Sequence, residues 1–230
     1  MARCCCIIGV SLPAVFAMGK LSCCACRSMA GCKYIVFVHD PESDVHFVNY
    51  FCPMRKLSMA ELGRKSVEEF RQSAKIPVIV VLENIRSAYN VGSVFRTSDA
   101  FLIEAIYITG YSAKPPHKEI KKTALGAEET VSWKHFPNAE AAIAELRNAG
   151  YNIYAAEQAE GSYRLNAIGF EPEEKIAVIF GNEVAGVEQS TIALSDGCLE
   201  IPQLGMKHSL NIATAVGVVL WELVRGRIGS

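Results

Sequence analysis

The chain has 230 residues, half of them hydrophobic, with 23 Lys and Arg against 24 Asp and Glu and a formal charge of -1. That length and apolar content allow a substantial core and argue against global disorder. The near-zero charge excludes a protein held to polyanions by its overall field, so a nucleic-acid partner would have to meet a local basic patch.

Residues 1–53 differ from the rest. Eight of the nine cysteines lie before Pro53, and the apolar stretches there show no period. A secretory signal would use Arg3 and the run behind it. A metal site would use Cys23, Cys26 and Cys32, but lacks a matching second Cys pair. The favoured reading is a start placed too early, with Met54 the true beginning and poor order expected before about that residue. The body, residues 54–230, is slightly acidic and keeps only Cys198, as a reducing cytoplasm permits. Its first stretch, "MRKLSMAELGRKSVEEFRQ", predicts an amphipathic helix over 57–73.

Next, "IPVIVVLENI" is a continuous β-branched run, suited to a parallel strand buried on both faces. "NVGSVFRTSDAFL" predicts a helix opened by Asn90, with Gly92 tolerating a close approach. "EAIYITG" is a second strand, and "SAKPPHKEIKKTALGAEE" a polar loop passing into a short helix. "TVSWKHF" is a strand, and "NAEAAIAELRNAG" a helix capped by Asn138 and stopped by Gly150. "YNIYAAE" and "KIAVIFGNE" are further strands, "EQSTIALSD" a short helix and "CLEIP" a last strand. The chain closes with an apolar helix beginning near Ile212, capped by Ser209, with Asn211 in its first turn. No apolar run reaches the ~18 residues of a membrane span; Glu222 interrupts this one.

Alternating strands and helices predict an α/β fold, a mostly parallel sheet with helices on both faces. Ligands in such sheets bind beyond the C-terminal strand ends. Three loops there carry unusual polar residues. The first has Asn90 and Arg96, the second Gly181 and Glu183, and the third Gly205, Ser209 and Asn211. Each alone reads as a capped helix or a turn; together they point to one site. The best basic patch is Lys114, His117, Lys118, Lys121 and Lys122, with Arg86 nearby, a candidate for phosphate contacts. His208 beside the third loop is read as structural or facing a nucleic acid, not as catalytic. The body shows no metal-ligand constellation.

These loops, "NVGSVFR", "FGNEVAGV" and "IPQLGMKHSLNIATAVG", together resemble the motifs of the SpoU (TrmH-like) branch of the SPOUT RNA methyltransferases, from about Ile76 to Leu223. The resemblance implies a C-terminal deep trefoil knot, a homodimer through the helix at 210–225, and S-adenosylmethionine as cofactor. It places the cofactor on Gly181, Ile201, Gly205, Met206, Ser209 and Leu210. It implies methylation of a ribose 2′-hydroxyl in tRNA or rRNA. Arg96 would bind the target phosphate and assist deprotonation, Asn90 and Glu183 would orient, and Ser209 and Asn211 would shape the pocket. A catalytically silent RNA-binding module and a SPOUT base methyltransferase are the alternatives. A nucleotide-binding oxidoreductase is disfavoured, since no G-x-G-x-x-G follows the first strand of the body.

Overall fold

A computed structural model describes residues 9–11, 33–39, 46–51, 55–63, 65–207 and 209–228. The chain divides into two compact units, 1–64 and 65–230. In the first, β1 (Gly9–Ser11), β2 (Lys33–His39) and β3 (His46–Phe51) form a three-stranded sheet, β1 and β2 parallel and β2 and β3 antiparallel. The cysteine clusters lie outside the described residues, as does most of the segment before residue 54 for which poor order is expected.

The single helix expected over 57–73 is instead two pieces, a 3-10 turn Met59–Leu62 and α1 (Val67–Gln72). Gly63 is left-handed, with φ 56°, which ends the first piece. Ser66 then opens α1 with a capping box, its hydroxyl accepting from Glu69 N–H and the Glu69 carboxylate accepting from Ser66 N–H. Periodicity alone does not register such a cap inside a polar stretch.

The second unit holds a seven-stranded, all-parallel sheet. Its strands are β4 (Ile76–Glu83), β5 (Ile103–Thr109), β6 (Ser132–Phe136), β7 (Asn152–Ala155), β8 (Tyr163–Arg164), β9 (Ile176–Phe180) and β10 (Gly197–Glu200), in the order β6-β5-β4-β9-β7-β10-β8. The helices are α2 (Ala88–Ala100), α3 (Lys118–Ala124), α4 (Ala127–Thr130), α5 (Ala139–Asn148), α6 (Gln189–Leu194) and α7 (Ile212–Arg225). The two-residue β8 is too short to be legible in the sequence.

The apolar run of β4 is buried on both faces. Val78, Val80 and Leu82 face a core shared with α2, α3 and α7, while Ile79 and Val81 face one shared with α5. Helices therefore cover both sides, as the alternating pattern predicted. Asn138 caps α5 by accepting from Ala141 N–H, and Gly150 follows it at φ 80°. The register brings the strand ends level, with Leu82 opposite Ile108 and Phe180, and Ala155 opposite Ile179 and Cys198. The loops after Glu83, Ala155 and Phe180 thus open on one edge of the sheet, where α/β folds bind ligands. Among the described residues no helix is long and apolar enough to cross a membrane.

Candidate active site

The loop after β9 is folded tightly on itself. Asn182 and Gly186 exchange backbone hydrogen bonds of 2.9 and 2.8 Å. A Cβ on Gly181 would lie 2.1 Å from the Gly186 carbonyl carbon, so only glycine fits there. Asn182 Oδ1 accepts from the N–H groups of Val184 and Ala185. The turn pushes Glu183 outward, across to β4.

There the Glu183 carboxylate accepts from Arg86 N–H at 2.9 Å, Ser87 N–H at 3.1 Å and Asn90 Nδ2 at 2.9 Å. Burial pushes its carboxyl up, but the Arg86 N–H, the Asn90 amide and the Ser87 N–H outweigh this and hold it below the usual carboxylate range. Asn90 Oδ1 in turn accepts from Asn211 Nδ2 at 3.2 Å, and Asn211 Oδ1 accepts from Ala213 N–H at 2.9 Å. Both ends dictate the same amide orientations. An ionised carboxylate can only accept, and a helix-terminal N–H can only donate. The sequence-predicted Asn90, Glu183 and Asn211 are therefore one chain of hydrogen bonds joining three loops.

Two capping expectations are corrected. Ser87, not Asn90, caps α2, accepting from Asn90 N–H, which frees the Asn90 amide for Glu183. Asn211, not Ser209, caps α7. Ser209 lies in the preceding loop and is exposed.

Behind this chain lies a carboxylate the sequence did not reveal. Glu83, the last residue of β4, is 2% exposed and accepts from Glu188 N–H at 2.9 Å and Thr191 Oγ1 at 2.5 Å. Burial raises its carboxyl, against the lowering by Thr191 and the Glu188 N–H. Asn84 follows at φ 54° and donates to the Glu188 carboxylate at 2.8 Å, while its carbonyl accepts from Asn182 Nδ2. The start of α6 is thus pinned to the end of β4.

Beside the chain opens a cleft of about 620 Å³, within the usual range for a small-molecule site. Gly181, Ile201, Ser209 and Leu210 line it, with Glu183 and Asn211 at its rim. Gly205 and Met206 do not line it; both are exposed. Ala156 and Glu157 after β7, unforeseen, complete it. Glu157 Oε2 accepts from Val187 N–H at 3.1 Å. The signal lay in topology, since β7 is the neighbour of β9. Apolar walls from Ile201, Leu210, Ile212 and Ala215, strand-end backbone and two carboxylates suit an adenosine carrying a sulfonium.

Arg96 stands apart from the hydrogen-bonded chain, exposed on α2 and without a side-chain partner among the described residues. Arg86 gives its backbone to Glu183 and leaves its side chain exposed. Lys114, His117, Lys118, Lys121 and Lys122 are all exposed. His117 also has a structural task, its Nδ1 accepting from Glu119 N–H to cap α3. His208 lies outside the described residues.

A family model described as the SpoU rRNA Methylase family matches residues 77–221. The tRNA (guanosine(18)-2'-O)-methyltransferase of Thermus thermophilus is 31% identical over 73% of this chain and 84% of its own length. The 23S rRNA (guanosine-2'-O-)-methyltransferase RlmB of Haemophilus influenzae is 29% identical over 74% of this chain and 68% of its own. Among solved structures, the AdoMet-bound rRNA methyltransferase from Sinorhizobium meliloti superposes with a TM-score of 0.63 at 27% identity, covering 72% of this chain and 62% of that one.

Proposed function

The chain belongs to the SpoU rRNA Methylase family, and from that premise we propose how its site methylates a ribose 2′-hydroxyl in RNA with S-adenosylmethionine. The observation that carries the mechanism is the Glu183–Asn90–Asn211 chain, which fixes three loops at the rim of one cleft.

Gly181, Ile201, Ser209 and Leu210 would hold the cofactor in that cleft, with Gly205 and Met206 in the loop that closes over it. Bound there, S-adenosylmethionine supplies a methyl group on a positively charged sulfur. The chain's own residues must bring a ribose oxygen in line with that methyl and stabilise the oxygen as its proton leaves. Arg96, with no ion pair among the described residues, lies on α2 six positions after Asn90. A guanidinium offers donors and no acceptor, so Arg96 would bind the target phosphate and favour the developing alkoxide rather than accept the proton. Glu183 is a poor base as well, already holding three donors with its carboxyl depressed; the proton leaves to water. Asn90 and Asn211 orient the ribose, and Ser209 shapes the rim. Lys114, His117, Lys118, Lys121, Lys122 and Arg86 would grip neighbouring phosphates.

Two further readings belong to the same proposal. The chain after β10 returns to set α7 against α2, as a C-terminal knot requires. On α7, Val216, Val219, Leu220 and Leu223 are buried, while Val218 and Trp221 are 39% and 53% exposed, with Leu210 at 42% just before it. That apolar outer side suits a second copy, giving a homodimer through 210–225. The cytoplasm, where this RNA chemistry and one buried free thiol, Cys198, are both at home, is the proposed compartment.

The test is transfer of labelled methyl to unmodified tRNA and rRNA by the full chain, followed by digestion to nucleosides. The expected product is a 2′-O-methylnucleoside from one of the two RNAs, formed far more slowly with Arg96→Ala. Label on a base would overturn the ribose assignment. Cofactor binding without transfer to either RNA would favour the silent module.

A further inference from the structure

A second cleft, of about 450 Å³, lies beyond α3, walled by the Pro115–Pro116 turn. Its chemistry is mixed. His117, Lys118 and Lys121 line it together with Glu128, Glu129 and Trp133. Opposite charges so close would normally pair, yet no ion pair within 4.0 Å joins these lysines to these glutamates. Glu128 spends one oxygen on Gly126 N–H at 3.0 Å, and His117 spends Nδ1 on Glu119 N–H, which leaves its Nε2–H outward. The Glu129 carboxylate has no partner among the described residues. Trp133, on the edge strand β6, packs partly on the core and turns the rest of its surface to the cleft.

A ligand for this cleft must be bipolar: an anion for the lysines, hydrogen-bond donors for the carboxylate, and a flat apolar body for the indole. An unpaired nucleotide has all three. Single-stranded bases stack on aromatic side chains and are read on their Watson–Crick edges. Guanine alone offers two adjacent donors there, N1–H and N2–H, which match the two oxygens of one carboxylate. The position fits as well. Lys122 of α3 reaches the Tyr89 ring, 5.9 Å away, and Tyr89 immediately precedes Asn90. One helix, about 10 Å across, separates the cleft from the catalytic rim.

We propose that this cleft is a subsite for an unpaired guanine nucleotide near the one methylated, its base stacked on Trp133 and read by Glu129, its phosphate held by Lys118 and Lys121. The inference rests on the reading that the chain acts on RNA.

The test uses the full chain with Trp221→Phe, which leaves Trp133 as the remaining tryptophan of the two. Its fluorescence is titrated with the RNA pentamers UUGUU and UUUUU at fixed salt. Saturable quenching is expected, with UUGUU bound on the order of tenfold more tightly. Glu129→Gln should cut that preference to about threefold or less, because an amide offers one acceptor. Lys118→Ala with Lys121→Ala should weaken both pentamers alike. No quenching, or equal affinities that Glu129→Gln leaves unchanged, would overturn the subsite. Methyl transfer, measured on the parent chain with Trp221 intact, separates the two claims. Transfer without quenching removes the subsite alone. Guanine-selective quenching without transfer supports the subsite and counts against the proposed reaction.

Discussion

The strand-end network and the cationic fringe lie side by side on one edge of the sheet, and they are built on opposite principles. In the network, Glu83, Asn84, Asn90, Glu183 and Asn211 all have partners within the chain. In the fringe, Arg86, Arg96, Lys114, Lys118 and Lys121 are exposed and form no ion pair among the described residues. A small cofactor needs a pre-organised cleft, so its loops are locked before it arrives. A phosphate backbone needs available charge, and cations already paired would lose that attraction. Substitutions in the fringe should therefore change rate and affinity with stability intact, and those in the network should change both.

The largest effect is expected at Arg96. Arg96→Ala should lower methyl transfer by about 10²–10³-fold, the usual loss when one charge-stabilising donor is removed. Its melting temperature and cofactor affinity should match the parent, because the side chain holds nothing in the fold. A drop in melting temperature would place Arg96 in the network instead.

Glu183→Ala should break the comparison from the other side. It takes the shared acceptor from Arg86 N–H, Ser87 N–H and the Asn90 amide, three solvent-exposed hydrogen bonds, costing about 1–2 kcal/mol of stability as well as activity. Asn211→Ala should cost less, about 1 kcal/mol, as loss of an N-cap does. Thermal or urea unfolding beside the transfer assay measures both. A Glu183→Ala protein as stable as the parent would refute the locked-loop account.

Much of the network was legible in sequence order, and its wiring was not. The apolar runs of β4 and β9 announced central strands, and polar residues right after them marked the site. Which polar residue caps a helix was misjudged twice, at Ser87 and at Asn211. Two suitable caps stood within three positions each time, and the choice depends on what the freed side chain meets across the sheet. Glu83 was missed because an acid ending an apolar run reads as an exit to solvent. Its partner Thr191 lies 108 positions away, and only the register of β4 beside β9 brings them together. Glu157 was missed for the same reason, its role following from β7 lying next to β9.

The two glutamates sharpen the comparison through pH. The ordinary carboxyl of an unfolded chain titrates near about 4.3. Glu183 is lowered in the folded protein. Its contribution is therefore fully present above about 4.3 and lost as pH falls through the depressed value. Glu83 is raised by burial. The folded state then holds its proton longer than the unfolded chain, and stability declines as pH rises from about 4.3 to the raised value. Melting temperature against pH should show Glu183→Gln flattening the acid side and Glu83→Gln the side above about 4.3. Both variants flattening the same side would overturn the assignment.

The smallest effect belongs to the fringe lysines, and salt exposes it. Each phosphate neutralised by a protein cation releases condensed counterions, so log affinity falls linearly with log salt, by about 0.7 per contact on single strands and 0.9 on duplex. Lys118 and Lys121 form no ion pair among the described residues, so both charges are free to contribute. At low salt each alanine variant should bind RNA only a few-fold more weakly, too little to separate specific contact from general attraction. The slope separates them, since removing both lysines should reduce its magnitude by about 1.4–1.8 while cofactor affinity and melting temperature stay at the parent values. An unchanged slope would mean that these lysines never reach phosphate, and the fringe would shrink to Arg86, Arg96 and Lys114. A fall in melting temperature would mean that they serve the fold, and the division between a locked network and a free fringe would fail on its fringe side.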